Sequence, residues 1–175
     1  MKKAFEVLAV CLLLASGAAA LEITGTTPAA VKGLENGDFN LSGIVVKDIG
    51  YKTGGVIMPV TENNGKTYVD VKLLSKDLYA KLETCFRFGC AKPAAKIPAP
   101  VLKLEGLRPL RSKTRVANAE MSFDGELTVV LGVMASLKEP GTFWLAFPDS
   151  VELKSKSLKA EVEKIVKAAW AKNKK

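Results

Sequence analysis

Two stretches of the sequence fit one template. LEITGTTP (residues 21–28) and LKLEGLRP (residues 102–109) both read Leu, any residue, Ile or Leu, any residue, Gly, any two residues and Pro. A pattern that recurs at long range within one chain is the sequence signature of a duplicated module. The element signals that follow each stretch therefore decide whether this chain is a tandem repeat.

The signals after the first stretch predict strands and then a helix. FNLSGIVVKDIGY carries a β-branched run, TGGVIMPV is a Gly-led apolar strand that ends at a proline, and Asn64-Gly65 is a favoured pair for a tight hairpin turn. Ser75 can cap a following helix, on which Leu78, Leu82 and Cys85 share one face.

The second half repeats that order of signals. AEMSFDGELTVVLGVMAS predicts two strands around the turn pair Asp124-Gly125, and PGTFWLAFP predicts another Gly-led strand that ends at a proline. SKSLKAEVEKIVKAAWAK predicts a helix whose apolar face holds Leu158, Val162, Ile165 and Ala169, with Val166 beside them. We therefore predict an α+β fold of two small β-rich modules. Each module is an antiparallel sheet with a C-terminal helix, and the two are paired as a pseudo-dimer.

The ends of these modules follow from composition. Residues 1–20 combine a basic start (MKK), an apolar core and small residues before Leu21, which is typical of a secretory signal peptide. We predict cleavage after Ala20 and export to the periplasm or the extracellular space. The first module would span residues 21–90, the Pro/Ala-rich stretch 91–100 would be a stiff linker, and the second module would span residues 101–175.

Two cysteines lie beyond the predicted signal peptide, in the stretch CFRFGC. Because an exported protein meets an oxidising environment, the spacing of Cys85 and Cys90 predicts a disulfide. Two thiols are too few for a metal site, and the chain contains no histidine. The same absence removes histidine-based catalytic triads. We predict neither a metal nor a cofactor.

Basic residues are concentrated in the second half. Residues 21–90 hold eight Lys and Arg against eight Asp and Glu, whereas residues 101–175 hold fourteen against nine. Such a basic half can attract phosphate, anionic lipid or acidic glycan, although a solvated lysine face is the commonest reason for such a pattern. The candidate anion-binding residues are Arg108, Arg111, Lys113, Arg115, Lys156, Lys164, Lys167, Lys174 and Lys175.

The motifs together resemble the SpoVG-type septation proteins. In that family a Phe-Asp turn leads into a Val-Val-x-Asp-Ile strand, then a Gly-led strand that ends at Pro, and then a C-terminal helix. The strand signature is divided here between the two halves. The first half matches at Val45, Val46, Asp48 and Ile49, and the second half matches at Phe123 and Asp124.

The resemblance implies β-rich modules that pair through strands, bind nucleic acid and influence gene expression and septum formation. The family's basic loop would follow Pro59 and Pro148, but no positive charge lies close behind either proline here. We therefore expect an exported, non-catalytic module that binds a protein or cell-wall partner in the envelope. The alternative is a protein that binds nucleic acid or another anionic polymer through its basic C-terminal helix.

An enzyme is the third class of function. Asp48, Asp70 and Asp124 lie near predicted strand ends or turns, where an aspartate usually bonds a backbone amide. No nucleophile–base pair and no Gly-rich phosphate loop is recognisable, so the sequence predicts that the protein is not an enzyme. Since two copies can satisfy each other's exposed strands, we also predict a monomer that contains an internal pseudo-dimer.

Overall fold

The computed structural model describes residues 20–139 and 141–173, and within these ranges the chain forms twelve strands and two helices. The first half contains β1 (Ile23–Thr27), β2 (Asn36–Leu41), β3 (Ile44–Lys52), β4 (Gly55–Ile57), β5 (Thr61–Asn63), β6 (Lys66–Tyr68), β7 (Val71–Leu73) and α1 (Lys76–Phe88). The second half contains β8 (Leu102–Pro109), β9 (Arg115–Phe123), β10 (Leu127–Ala135), β11 (Phe143–Ala146), β12 (Val151–Leu153) and α2 (Lys156–Asn173). The predicted α+β fold class is confirmed, because each half contributes antiparallel strands that are followed by a C-terminal helix. Residues 1–19 of the predicted signal peptide, together with Lys174 and Lys175, lie outside the described residues.

The strands form two five-stranded antiparallel sheets and a separate hairpin. The first sheet has the order β1-β2-β3-β12, with β4 also paired to β3. The second sheet has the order β11-β10-β9-β8, with β7 also paired to β10. Strands β5 and β6 pair only with each other among the described residues. Neither described helix is long and apolar enough to cross a membrane.

Each half gives its last strand to the sheet of the other half. Strand β7 of the first half pairs with β10, where Val71 lies opposite Val129. Strand β12 of the second half pairs with β3 in the same antiparallel sense, where Val151 lies opposite Val46. The two halves are therefore joined by reciprocal strand exchange, and neither sheet is complete without the other half.

The hydrogen bonds just beyond the exchanged strands also match. The amide of Leu74 donates to the carbonyl of Glu126 at 2.7 Å, and the amide of Lys154 donates to the carbonyl of Gly43 at 2.9 Å. Glu126 and Gly43 end the β9–β10 and β2–β3 turns, respectively. They therefore hold corresponding places in the two halves.

A second pair of matched contacts lies at these same turns. Ser42, in the β2–β3 turn, exchanges hydrogen bonds with the backbone of Glu22, each of 2.9 Å. Asp124, in the β9–β10 turn, exchanges bonds of 2.7 and 2.9 Å with the backbone of Val101. Leu21, which precedes Glu22, therefore corresponds to Pro100, which precedes Val101.

The template glycines occupy similar places on β1 and β8. A bulge falls just before Gly25 and another just before Gly106. Asn40, opposite Gly25, is one residue from the end of β2, whereas Glu120, opposite Gly106, is three residues from the end of β9. The second hairpin is therefore longer, and the template residues lie at different distances from the two turns.

Helix α1 packs on the first sheet. Its N-cap is Ser75, whose side chain accepts the amide hydrogen of Leu78 at 3.1 Å. The predicted apolar face is confirmed, since the buried residues of this helix are Leu78, Leu82, Cys85 and Phe86. The ring of Phe86 lies 5.2 Å from that of Phe39 and 5.3 Å from that of Tyr51, both on the first sheet.

Helix α2 packs on the second sheet. It buries Leu158, Val162 and Val166, while Ile165 and Ala169 are half-buried, so the centre of the apolar stripe is Val166 rather than Ile165. The inner faces of both sheets and the buried sides of both helices belong to one continuous hydrophobic cluster. The two halves consequently share a core.

The predicted disulfide between Cys85 and Cys90 is confirmed. It joins the last turn of α1 to the chain just after Gly89, the helix C-cap. Since Cys85 is only 2% exposed, its sulfur also contributes to the core.

Thiol labelling of the folded protein without reductant should modify neither Cys85 nor Cys90, because both sulfurs are in the disulfide. The closed loop is very short, so we expect removal of the bridge to cost less than the roughly 3 kcal/mol assigned to 15-residue loops. Complete labelling of both cysteines in folded protein would contradict this prediction.

Candidate functional site: a basic end of the second sheet

The loop between β8 and β9 presents basic side chains at one end of the second sheet. The hydroxyl oxygen of Ser112 accepts the amides of Thr114 and Arg115, both at 3.2 Å, which holds the loop in a compact turn. Arg111 and Lys113 of this loop are exposed. Their charges therefore project into solvent from an ordered support.

The C-terminal end of α2 reaches the same end of the sheet. Trp170 packs edge-on against Phe143, with the ring centroids 6.2 Å apart. Phe143 lies opposite Ala135 in the sheet, and the amide of Ala135 donates to the carbonyl of Thr114 at 2.8 Å. The end of the helix, the β10–β11 loop and the β8–β9 loop are thereby brought together.

This arrangement collects cations from three separate segments. Lys138 belongs to the β10–β11 loop and Lys172 to the last turn of α2. Glu139 is the only acidic residue in the two loops, which span residues 110–114 and 136–142. Within the part of the chain that the structure describes, none of the cations gathered here makes an ion pair. We call this group the basic end; its members are Arg111, Lys113, Arg115, Lys138 and Lys172.

Arg115 lies flat on the outer face of the sheet. Its Nε atom donates to Oδ1 of Asn118 at 2.8 Å. A Cβ atom built on Gly132 would lie 3.0 Å from that Nε and 3.4 Å from the sulfur of Met134. Because Gly132 has no side chain, the guanidinium group of Arg115 can lie directly over its backbone.

An exposed aromatic ring lies in the same row of the sheet. Met134 is opposite Arg115 on one side and opposite Trp144 on the other. Residues directly opposite in antiparallel strands share a face, so the indole of Trp144 lies on the face that carries Arg115. Trp144 is 55% exposed, which is high for so large an apolar side chain.

Two ion pairs occupy the carboxylates on the remainder of this outer face. Glu105 bonds Lys103 at 2.8 Å and accepts the hydroxyl hydrogen of Ser122 at 2.7 Å. The bond from Lys103, followed by that from Ser122, lowers the pKa of Glu105. Arg108 is paired with Glu120 at 2.7 Å. The positive charge at the basic end is therefore not matched by acids along the same face.

The structure separates the remaining basic residues predicted from the sequence. Lys156 begins α2 and so lies at the opposite end of the helix from Lys172. Lys164 is exposed, and Lys167 lies 4.0 Å from Glu163 on the same helix. Of the predicted anion-binding residues, Arg111, Lys113 and Arg115 come together at the basic end.

The residues of the predicted family strand signature occupy structural positions. Val45, Val46, Ile49 and Phe123 are buried. Asp48 lies at a bulge of β3 with a φ of 55°, and its amide donates to Oδ1 of Asp38 at 3.0 Å. These contacts fix backbone geometry.

Asp124 also fixes a turn. Its backbone has a φ of 52°, and its Oδ1 accepts the amide hydrogen of Val101 at 2.7 Å. Burial raises the pKa of Asp124 in spite of this hydrogen bond, and the neighbouring charge of Glu126 raises it further. Asp70 accepts the amide of Val130 through its backbone carbonyl at 2.8 Å.

The sequence pattern alone does not indicate four parts of this site, which are Lys138, Lys172, Met134 and Trp144. Trp144 could have been found from the alternation of core-facing and outward-facing residues in FWLA (residues 143–146). Phe143 and Leu145 face the core on this short strand, so the intervening Trp144 faces outward. Lys138 could not be found from the sequence, because the sequence does not show which loops lie at the same end of the sheet.

Comparison of the chain with protein-family models, with curated proteins and with solved structures gives no match.

Proposed function

We propose that the protein is a non-catalytic binding module of the cell envelope that holds an anionic polymer at the basic end. The observation that carries this proposal is the group of five cations from three segments, none of which makes an ion pair within the described residues, with one carboxylate in the two loops. Unpaired cations on a rigid support attract a repeated anion because each contact releases counterions from the polymer. An exported protein would meet such a polymer as the phosphate- or carboxylate-bearing glycan of a cell wall.

The ordered support favours a binding role over a solvated surface. Asn118 and Gly132 position the guanidinium group of Arg115, and Ser112 shapes the loop that carries Arg111 and Lys113. Holding the guanidinium group of Arg115 in place before binding lowers the entropic cost of ordering it in the complex.

Reversing two charges at the basic end should weaken polymer binding. We expect Arg111→Glu combined with Lys113→Glu to lower the affinity for inorganic polyphosphate. It should also reduce the slope of log K against log[salt] by about 2, since each lost phosphate contact removes about 1. Fluorescence anisotropy with labelled polyphosphate at several salt concentrations measures both quantities.

A matched control carries the same change in net charge on the first half. Lys32 and Lys66 are exposed; Lys32 precedes Gly33, whose amide bonds the carbonyl of Phe86 in α1, and Lys66 begins β6, whose hairpin pairs with neither five-stranded sheet among the described residues. Lys32→Glu combined with Lys66→Glu should therefore leave the salt slope nearly unchanged. Equal losses in the two double variants would show that only net charge matters. That result would contradict a defined site.

A nucleic acid is the second candidate ligand, and Trp144 is the observation that favours it. Aromatic stacking contributes about 1–3 kcal/mol per base in single-strand binding. Under this alternative, Trp144→Ala would weaken binding of a single-stranded oligonucleotide and leave polyphosphate binding unchanged. Cell fractionation separates the two settings, since an envelope location favours the wall polymer and a cytoplasmic location favours nucleic acid.

A further inference from the structure

Glu126 has an unusual set of partners for a partly buried carboxylate. Its Oε1 accepts the hydroxyl hydrogen of Ser75 at 2.8 Å, and its Oε2 accepts the backbone N–H of Leu21 at 2.6 Å. Both donors are neutral, and none of the ion pairs among the described residues includes Glu126. A half-buried carboxylate is stabilised more strongly by a charged donor than by a neutral one.

Leu21 is held firmly on the other side of this contact. Its side chain is 0% exposed and belongs to the shared core. Its carbonyl accepts a hydrogen bond from Nζ of Lys81 at 3.0 Å, and the same Nζ pairs with Glu22 at 2.7 Å. Ala20, the preceding residue, is exposed. The nitrogen of Leu21 therefore lies between a carboxylate and the surface.

We propose that Glu126 is the binding site for the α-ammonium group that processing creates at Leu21. A signal-peptide-removing protease of the envelope would hydrolyse the bond between Ala20 and Leu21. Water supplies a hydroxyl to the carbonyl carbon of Ala20 and a hydrogen to the nitrogen of Leu21. The new amine takes up a further proton, since α-amino groups have a pKa of about 7.7–8.0.

Processing would then convert a neutral hydrogen bond into a charged one at the same atoms. One hydrogen of the ammonium group points at Oε2 of Glu126, and the others point to the space that Ala20 leaves, which opens to solvent. No rearrangement of Leu21 is needed, because its side chain and carbonyl are already fixed. Removal of the signal peptide would thereby tighten the contact between the start of the first half and a turn of the second half.

The symmetry-related contact, between the start of the second half and the β2–β3 turn of the first half, supports this assignment. Pro100 corresponds to Leu21 in that contact, and Gly43 corresponds to Glu126. Proline has no N–H group and glycine has no carboxylate, so this pair cannot form. The carboxylate is thus present only at the turn that faces the predicted new end of the chain.

The inference rests on the predicted cleavage site, which is also part of the proposed function. Thermal unfolding of four proteins tests it. One chain begins at Leu21 after removal of a cleavable fusion, and one retains Ala20; each is made with Glu126 and with Glu126→Gln. Both chains keep every described helix and strand.

With Glu126 present, the chain that begins at Leu21 should melt roughly 2–8 °C above the chain that retains Ala20, because a hydrogen bond between charged groups exceeds a neutral one. The Glu126→Gln variants should lose this difference. Glu139→Gln, at an exposed carboxylate of the β10–β11 loop, is the matched control and should preserve it.

The proposal would be overturned if the chain that begins at Leu21 and the chain that retains Ala20 had the same melting temperature. It would also be overturned if Glu126→Gln lowered the melting temperatures of both chains by the same amount. If Glu126→Gln does not fold, α-acetylation of the chain that begins at Leu21 should abolish the gain by itself. The intact mass of the native protein tests cleavage, and retention of residues 1–20 would also overturn the proposal. Polyphosphate binding, measured on the same proteins, reports separately on the basic end.

Discussion

A chain of residues 21–90 alone is expected to be unfolded in water. Strand β7 would lose its pairing with β10, which leaves Val71 without its buried environment. Strand β3 would lose β12 and expose an unpaired edge along Ile44–Val46. Small modules of this size have little core to spare, so losing the shared core removes the folded state. Far-UV circular dichroism of the fragment should show no cooperative thermal transition.

Mixing that fragment with a second fragment of residues 101–175 provides the control. Both exchanged strands and the shared core are then available, so the mixture should regain structure and a cooperative transition. A first fragment that unfolds cooperatively on its own as a monomer would contradict the prediction, because it would show that the first sheet is complete without β12.

Phe86→Ala is expected to lower the free energy of unfolding by about 3–5 kcal/mol, which is typical for a buried phenylalanine. The side chain is 2% exposed and packs against the rings of both Phe39 and Tyr51. Its removal leaves a cavity between α1 and the first sheet that rigid strands cannot fill. Urea unfolding, with comparison of midpoints and slopes, measures the loss.

Phe88→Ala is the matched control on the same helix. Phe88 is 65% exposed, and its ring lies under the guanidinium of Arg87, 4.9 Å from the ring centroid. We expect its replacement to change the free energy of unfolding by about 0.5 kcal/mol or less. Similar losses for the two substitutions would contradict the description of α1 as packed through Phe86.

The elements that could be predicted were those with strong local signals. The turn pairs Asn64-Gly65 and Asp124-Gly125 adopt positive φ angles at both residues, as such pairs prefer. The apolar spacing of both helices depends only on the helical period, and α1 buries the predicted face. Local chemistry alone determines these features, so the sequence is sufficient to predict them.

Strand exchange could not be predicted in detail, because its signal is not local. β7 and β12 have three residues each, Val71–Leu73 and Val151–Leu153. Such short strands have the same sequence pattern whichever sheet they join. Their partners are decided by where the shared core buries Val71 and Val151, which is a property of the whole fold.

The candidate site was predictable only in part for the same reason. Arg111, Lys113 and Arg115 are neighbours in sequence and were identified together. Lys138 and Lys172 join them because Phe143 packs against Trp170, and that contact links elements far apart in the chain. Lys156 was assigned to the same group from its helix alone, although the length of α2 separates it from Lys172.

An engineered disulfide tests most directly whether the two halves exchange strands within one chain. Lys72 lies opposite Thr128, between the hydrogen bonds that link Asp70 to Val130 and Leu74 to Glu126. Such a hydrogen-bonded pair has its Cα atoms about 5.5 Å apart, within the range that a disulfide spans. Lys72→Cys combined with Thr128→Cys is therefore placed to report the pairing of β7 with β10.

The mass of the oxidised protein on a non-reducing gel and in native mass spectrometry gives the answer. We predict a monomer with the two new cysteines joined, while Lys72→Cys alone keeps a free thiol. A disulfide-linked dimer would show that β7 pairs with another copy of the chain. Two free thiols in a folded monomer would show that β7 does not pair with β10, and either result would contradict strand exchange within one chain.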